Sequence, residues 1–156
     1  MPVTLMSFNT QHCMNYITKE VEYDSFAEEI RRHNADIIGL NEVYDQCDSG
    51  KFPAQVKILA EKLGYYYYFA QAVKFKNQEP YGNGILSRFP IISAETILIP
   101  KPEIPAYSGY YESRCLLKAK IDVCGGLEVG VIHFGLNQDE KENAVNNAMF
   151  VFYNAN

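Results

Sequence analysis

The run DIIGL at residues 36–40 constrains the fold more than any other segment of the chain. It is apolar after its first residue and is bounded by polar residues on both sides, which is typical of a central strand with both faces covered. A mostly buried strand is also predicted at residues 3–8, where apolar and polar residues alternate imperfectly. With a helix between them, these two runs predict a strand–helix–strand unit whose crossover is right-handed.

The helix of this unit is indicated by its capping residues and its apolar spacing. Ser25 and Glu28 have the spacing of a capping box, which places the start of a helix at this point. The helix is expected to run for about ten residues and to end near His33, with Phe26 and Ile30 on its inward face.

A second helix is predicted between Pro53, which opens it, and Gly64, which stops it. Apolar residues recur between them at the spacing of one helical face, at Val56, Leu59, Ala60 and Leu63. The tyrosine-rich run YYYYFAQAV that follows, at residues 65–73, predicts a strand whose rings alternate between the core and solvent.

The second part of the chain has the pattern of an antiparallel meander. Its strand-length runs are separated by Pro, Gly and short polar links, and Gly125-Gly126 is a two-residue connection of the hairpin type. These runs are GNGILS, IISAETILI, SRCLLKAKIDV and LEVGVIHF. The Pro-rich segment at residues 100–111 cannot be a central strand and is predicted to be a surface loop.

A last helix is predicted to begin at Asn137, because Asn137 and Glu140 have capping spacing. Its buried stripe is expected to consist of Ala144, Val145, Ala148 and Met149. The order of these elements predicts an α/β fold, and 156 residues are enough for a single domain spanning 1–156, or for part of one.

Charge and cysteine usage narrow the classes of protein to consider. The net charge of −5 leaves no broad basic surface for nonspecific nucleic-acid binding. The start MPVTLMSF lacks the basic and long apolar regions of a signal peptide, and no apolar run approaches the roughly 18 residues of a membrane span. The four cysteines (Cys13, Cys47, Cys115 and Cys124) have no CxxC spacing, so reduced thiols in a cytoplasmic protein are expected in place of a structural zinc site.

Three polar residues close apolar strand-like runs and are candidates for a site. Asn9 ends VTLMSFN, Glu42 follows IIGLN, and His133 ends LEVGVIH. Side chains at such strand ends meet over one edge of an α/β sheet, where an amide, a carboxylate and an imidazole suit a hard metal ion and a phosphate. Taken singly, each also has a structural interpretation, as a solvated carboxylate, a strand-end amide or a satisfied histidine. His12 is predicted to be an ordinary loop residue.

Four motifs together carry a family resemblance. In this order and spacing, LMSFNTQH, ADIIGLNEV, YGNGILSRFPI and VIHFGLN resemble the endonuclease/exonuclease/phosphatase family, whose members include DNase I. The resemblance extends from residue 4 to about residue 148. It implies a DNase I-like four-layer α/β sandwich of mixed sheets flanked by helices, of which this chain would hold the N-terminal part.

The resemblance also implies roles for individual residues. Asn9 matches the amide that orients the scissile phosphate, Glu42 matches the principal Mg²⁺ ligand, with Mn²⁺ as an alternative ion, and His133 matches the imidazole that binds the phosphate. Tyr81 and Arg114 fall where family members contact substrate phosphate. Most relatives have Gln where Asn41 stands. The Gly-Asp-x-Asn strand end and the terminal Asp-His pair that activates water in the family have no counterpart in the sequence.

These observations predict a Mg²⁺-dependent phosphoesterase that supplies only part of its active site. The acidic charge favours a small or lipid-like phosphoester over long DNA as the substrate. The alternative is a non-catalytic family member that binds a partner or itself, for instance as a homodimer through an uncovered sheet face. A zinc hydrolase is disfavoured because the three histidines form no HExxH motif.

Overall fold

The computed structural model describes residues 2–46, 53–75 and 79–154, and these residues form helices and sheets in stacked layers. Cys47, one of the four cysteines expected to be reduced, lies outside the described residues. The elements in chain order are β1 (Leu5–Asn9), α1 (Tyr23–His33), β2 (Ile37–Tyr44), α2 (Gln55–Leu63), β3 (Tyr66–Lys74), β4 (Pro80–Ser87), β5 (Ile91–Ile99), β6 (Arg114–Ile121), β7 (Leu127–Ile132) and α3 (Gln138–Tyr153).

The first sheet has the strand order β1-β2-β4-β3. Strands β1 and β2 pair in parallel across α1, which confirms the predicted strand–helix–strand unit. The prediction that GNGILS belongs to the meander is wrong, because β4 pairs with β2 and β3 in this sheet. Nearly every residue of β4 is buried, including Ile85 and Leu86, and a strand buried on both faces stabilises the fold best at the centre of a sheet.

The second sheet is the predicted meander, with β5, β6 and β7 paired antiparallel in that order. The link from β6 to β7 turns through Cys124, Gly125 and Gly126, all with positive φ. Two of these three positions are glycine, which adopts this conformation without the steric cost that a Cβ brings.

Three apolar clusters separate four layers. The first lies between α1, α2 and the first sheet and is centred on Ile30, Ile38 and Leu59. The second lies between the two sheets and contains Ile37 and Ile85 from one and Leu117, Ile121 and Val131 from the other. The third packs α3 onto the second sheet through Ile99, Leu116 and Ala144. The four-layer α/β sandwich expected from the family resemblance is therefore confirmed.

The predicted capping box of α1 is wrong, although the helix ends at His33 as expected. The helix begins at Tyr23, so Ser25 lies in its first turn. The hydroxyl of Ser25 donates to Glu22 Oε2 at 3.0 Å and is not available as a cap. Glu22 also accepts from Asn15 and Thr18, and with this local cluster the helix starts three residues earlier than a cap at Ser25 predicts.

The capping box of α3 is confirmed, but its buried stripe differs from the prediction. Ala144 and Ala148 pack inward as expected, whereas Val145 is 43% exposed and Met149 is 50% exposed. Val151 and Phe152 take their place. The ring of Phe152 fits against Gly130 of β7, where a Cβ would lie 2.9 Å from it, so the missing side chain at residue 130 tilts the contact stripe toward the end of α3.

The thiols of Cys13 and Cys115 are buried and that of Cys124 is exposed, with no disulfide among these three. Within the described residues, no helix combines the length and apolar character needed to cross a membrane.

Candidate active site

Asn9 and Glu42 meet where β1 and β2 end. Asn9 is the last residue of β1 and pairs in register with Asn41, the residue before Glu42. Glu42 is a bulge residue, because the pairing of β2 with β4 skips it between Asn41 and Val43. Its φ of 58° turns its side chain toward Asn9, and Asn9 Nδ2 donates a hydrogen bond to Glu42 Oε1 at 2.8 Å. A β-bulge is a common device for re-aiming one side chain next to a site.

His133 reaches the same point from the second sheet. It directly follows β7, and its Nε2 lies 3.7 Å from Glu42 Oε1. The three predicted residues therefore lie together, with the carboxylate of Glu42 between the amide and the imidazole, but they come from two sheets and not from the single sheet edge that was predicted. Their chemical roles stay predictions.

Arg114 fixes the tautomer of His133. It is the first residue of β6, and its Nη1 donates both to Glu112 Oε1 at 2.8 Å and to His133 Nδ1 at 2.9 Å. A guanidinium only donates, so His133 Nδ1 accepts and the proton of the neutral imidazole is assigned to Nε2. Burial and the adjacent Arg114 lower the pKa of His133, and Glu42 opposes them. His133 thus presents a neutral N–H beside Glu42.

A second carboxylate lies behind Arg114. Burial raises the pKa of Glu112, and Glu42 and Glu140 add to this effect while Arg114 opposes it. Arg114 contacts both Glu112 and His133, and Glu42 is close enough to Glu112 to disfavour its ionised form. A cation bound between the two carboxylates would relieve this repulsion.

Tyr81 lies on β4 opposite Tyr44 of β2 and belongs to an aromatic cluster beside Glu42. Its ring centroid is 5.3 Å from that of Tyr44, 5.6 Å from that of His12 and 5.1 Å from that of Phe75. Tyr81 is only 6% exposed, and burial followed by the charge of Glu42 raises the pKa of its hydroxyl. Its hydroxyl therefore stays protonated at neutral pH.

Sequence reasoning missed the part of His12 in this cluster. His12 stacks on Tyr44 at 4.8 Å, and burial lowers its pKa, with Glu42 opposing. It also missed the buried Asn83 of β4. Asn83 Oδ1 accepts from Asn41 Nδ2 at 2.9 Å, and Asn83 Nδ2 donates to the backbone oxygen of Cys115 at 3.0 Å, which ties the two sheets together behind the site. A polar residue inside the apolar run of β4 was the available signal.

The segment after Asn9 is a strained left-handed turn. Gln11, His12 and Cys13 have φ values of 46°, 64° and 56°, a conformation that costs a non-glycine residue about 1–2 kcal/mol. The turn gives Asn9 its second contact, since the backbone N–H of Gln11 donates to Asn9 Oδ1 at 3.0 Å. With both ends of its amide engaged, Asn9 is held in one orientation. Unfavourable backbone geometry of this kind concentrates at functional sites.

Glu42 is the carboxylate available for a metal at this point. Within residues 2–46, 53–75 and 79–154 there is no group of three or more His, Cys, Asp or Glu side chains arranged around a metal position. A single carboxylate such as that of Glu42 could hold an ion that keeps several of its waters, because such ions take only one or two protein carboxylates.

Comparison with known proteins supplies a family. The family model described as Endonuclease/Exonuclease/phosphatase family matches residues 6–114. No curated protein sequence matches the chain.

Solved structures with the same fold are longer than this chain. An endonuclease/exonuclease/phosphatase from Beutenbergia cavernae DSM 12333 superposes with a TM-score of 0.73 at 20% identity, covering 97% of this chain and 44% of that protein. A family protein from Leptotrichia buccalis C-1013-b gives 0.68 at 15% identity, covering 94% and 63%. ANGEL2, a 2',3'-cyclic phosphatase, gives 0.58 at 17% identity, covering 86% and 41%. These similarities establish the DNase I-like fold.

Proposed function

Since this chain belongs to the endonuclease/exonuclease/phosphatase family, we propose that it provides part of the active site of a metal-dependent phosphoesterase. The observation that supports this most is the convergence of Asn9, Glu42 and His133 from two different sheets, with the Asn9–Glu42 contact at 2.8 Å and the His133–Glu42 separation at 3.7 Å. A bulge at Glu42, a left-handed turn after Asn9 and the two contacts of Arg114 Nη1 hold this arrangement.

Each residue has a task that follows from its contacts. Glu42 would hold a Mg²⁺ or Mn²⁺ ion, which when bound supplies positive charge to a phosphoryl group. Asn9, fixed at both ends of its amide, would orient the phosphate. His133 would donate its Nε2 proton to a non-bridging phosphate oxygen, because Arg114 occupies Nδ1.

Arg114 and Tyr81 would act around this centre. The second role of Arg114, besides holding His133, is to place a positive charge next to a phosphate oxygen. Tyr81 would offer its neutral hydroxyl from the aromatic cluster. The group that activates the attacking water is assigned to none of the described residues, and we expect it to come from motifs of the Gly-Asp-x-Asn and Asp-His type, which the sequence lacks.

The substrate we propose is a small or lipid-like phosphoester. A chain with a net charge of −5 has no broad basic surface to follow a nucleic-acid backbone. ANGEL2, which shares the fold, is a 2',3'-cyclic phosphatase, so a cyclic nucleotide belongs among the substrates to test.

The experiment is a hydrolysis assay with a generic aryl phosphodiester and a 2',3'-cyclic nucleotide, with Mg²⁺, with Mn²⁺ and with a chelator. Metal-dependent turnover that Glu42→Gln abolishes supports the proposal. Glu128→Gln is the control, because Glu128 forms a partly exposed ion pair with Lys118 away from the site. Detectable hydrolysis at equal rates with metal and with chelator would contradict it. If no hydrolysis is detected, Mn²⁺-dependent binding of the phosphodiester decides, and binding that does not depend on Mn²⁺ or that Glu42→Gln leaves unchanged would contradict the proposal.

A second candidate function is a non-catalytic, self-associating module. The observation in its favour is an apolar groove of about 440 Å³ between the edge strands β1 and β7. It is lined by Leu5, Met6, Ile37, Val129, Val131 and Phe134, among others. Since each sheet packs against a neighbouring layer on both faces, a homodimer would form along this edge and not through a sheet face.

A further inference from the structure

Gln55 is a fully buried polar residue with no counterpart among the predicted site residues. It is the first residue of α2, in the layer of helices beneath the first sheet. A buried amide requires partners for both of its ends, because an unpaired polar group in the core is unfavourable. The hydrogen-bond partners of Gln55 connect it to the site.

Both ends of the Gln55 side chain bind backbone groups. Its Oε1 accepts from the backbone N–H of Tyr44 at 2.8 Å, and its Nε2 donates to the backbone oxygen of His12 at 2.8 Å. This orientation of the amide is the one that its partners allow, since an N–H must donate and a carbonyl must accept. The side chain therefore connects the turn that follows β1 to the last residue of β2.

These two segments orient the side chains of Asn9 and Glu42. His12 is the middle residue of the left-handed turn whose first N–H holds Asn9, and Tyr44 lies two residues after the bulge residue Glu42. Neither segment has a low-energy backbone by itself, because Gln11, His12, Cys13 and Glu42 all have positive φ. Such conformations persist only where surrounding contacts hold them.

Thr10 supplies a second link between the same segments. Its hydroxyl lies 3.2 Å from the backbone oxygens of Asn41 and Glu42. The hydroxyl can donate to only one of these at a time, and Thr10 also contacts the side chain of Cys13 at the end of the turn. Gln55 adds a direct connection from the last residue of β2 to the backbone of His12 in the middle of the turn.

We propose that Gln55 is a positioning residue that holds Asn9 and Glu42 in contact and so sets the metal affinity of the site. This inference rests on the phosphoesterase function proposed above. It would act through the backbone at His12 and Tyr44 without touching the ion or the substrate. The opposing interpretation is that Gln55 only fills the core and could be replaced by an apolar side chain of similar length.

The test compares Gln55→Met with Tyr68→Phe. Tyr68→Phe also removes a part-buried polar contact, to Thr96 Oγ1 at 3.2 Å, but at a place between the sheets away from the site. Nuclear magnetic resonance of the metal-free protein reports the side-chain amide of Asn9, and Mn²⁺ titration reports metal affinity. We expect Gln55→Met to shift the Asn9 amide signal toward that of a solvent-exposed amide and to weaken Mn²⁺ binding about 10- to 100-fold, with neither change in Tyr68→Phe.

The possible outcomes separate the two proposals. An unchanged Asn9 signal and unchanged Mn²⁺ affinity in a folded Gln55→Met would overturn the positioning role. A wild-type protein that binds no Mn²⁺ would contradict the metal site, while the Asn9 signal would still decide the role of Gln55.

If Gln55→Met does not fold, the wild-type protein carries the test. In that case the wild-type protein is titrated with Mg²⁺ in place of Mn²⁺. The resonance of the Gln55 side-chain amide should shift with the same midpoint as the resonance of the Asn9 side-chain amide. A Gln55 signal that does not respond while Asn9 does would overturn the inference.

Discussion

Glu42 has two energetically unfavourable features that a role as a metal ligand would account for. Its carboxylate is partly withdrawn from water at a strand end, and its backbone has a φ of 58°. Inside the protein its oxygen accepts one hydrogen bond, from Asn9, while His133 lies too far for a second one at 3.7 Å. A carboxylate with spare acceptor capacity and with Glu112 nearby is a suitable ligand for a cation.

We therefore predict that Glu42→Gln weakens Mg²⁺ binding by more than about 100-fold while changing the free energy of unfolding by less than about 1 kcal/mol. The neutral isostere can still accept the hydrogen bond from Asn9, so folding loses little. Titration calorimetry and urea unfolding measure the two quantities. Equal Mg²⁺ affinity in both proteins would rule out the metal-ligand role.

His133 predicts how stability depends on pH. Its pKa in the folded protein lies below the ordinary value of 6.5, because burial and Arg114 disfavour the imidazolium. As the pH falls through 6.5 the unfolded chain takes up this proton before the folded protein does, so the contribution is present above pH 6.5 and is lost on acidification.

The expected result is a steeper loss of unfolding free energy between about pH 7 and pH 5 in the wild type than in His133→Gln, whose amide oxygen can still accept from Arg114. Urea unfolding at a series of pH values gives the slopes, and imidazole resonances give the pKa directly. A His133 that titrates at 6.5 or above would contradict this explanation.

At the scale of elements, the apolar runs correctly predicted the positions of the strands along the chain. They did not predict that β4 belongs to the first sheet. The run in β4 is buried on both faces, and such a run fits a meander or a central strand equally well until its neighbours are known. Strand ends similarly predicted Asn9, Glu42 and His133. They did not predict Gln55 or His12, because the contacts of these residues depend on a left-handed turn made of Gln, His and Cys, which carries no turn signal.

Gly84 on β4 allows α2 to pack closely onto the first sheet. A Cβ on Gly84 would lie 2.6 Å from Val56 Cγ2, so α2 approaches the strand more closely than any other residue would permit. We predict that Gly84→Ala destabilises the fold by about 1–3 kcal/mol through overpacking. Adding Val56→Ala should recover part of this loss, which a double-mutant cycle in urea measures as a favourable coupling.

Gly109→Ala is the matched control for this prediction, because a Cβ there meets nothing within 4 Å and its φ is not positive. It should leave the free energy of unfolding within about 0.5 kcal/mol of the wild type. Additive effects of Gly84→Ala and Val56→Ala would mean that the close approach of α2 to β4 does not limit the packing.

At the scale of the whole molecule, each sheet has an edge strand on the same side of the protein. Strand β1 is the edge of the first sheet and β7 is the edge of the second, and the apolar groove opens between them. Leu5 on β1 is 60% exposed at this groove. Exposed edge strands next to apolar surface promote association, unless charged residues or a covering segment protect them.

We predict that the 156-residue chain forms a reversible dimer through this edge, because pairing would cover the groove and satisfy the free backbone groups of β1 and β7. Leu5→Glu should shift the equilibrium to monomer, since it places a charge within the contact. Ile17→Glu should not, because Ile17 is 93% exposed on the loop after β1 and does not line the groove. Sedimentation velocity over a range of concentrations measures the equilibrium, and binding of a hydrophobic dye reports the uncovered groove. A wild-type monomer that neither associates nor binds the dye would mean that exposing this edge to water has no appreciable free-energy cost. The self-associating alternative would then lose its structural basis. The proposed phosphoesterase site would be unaffected.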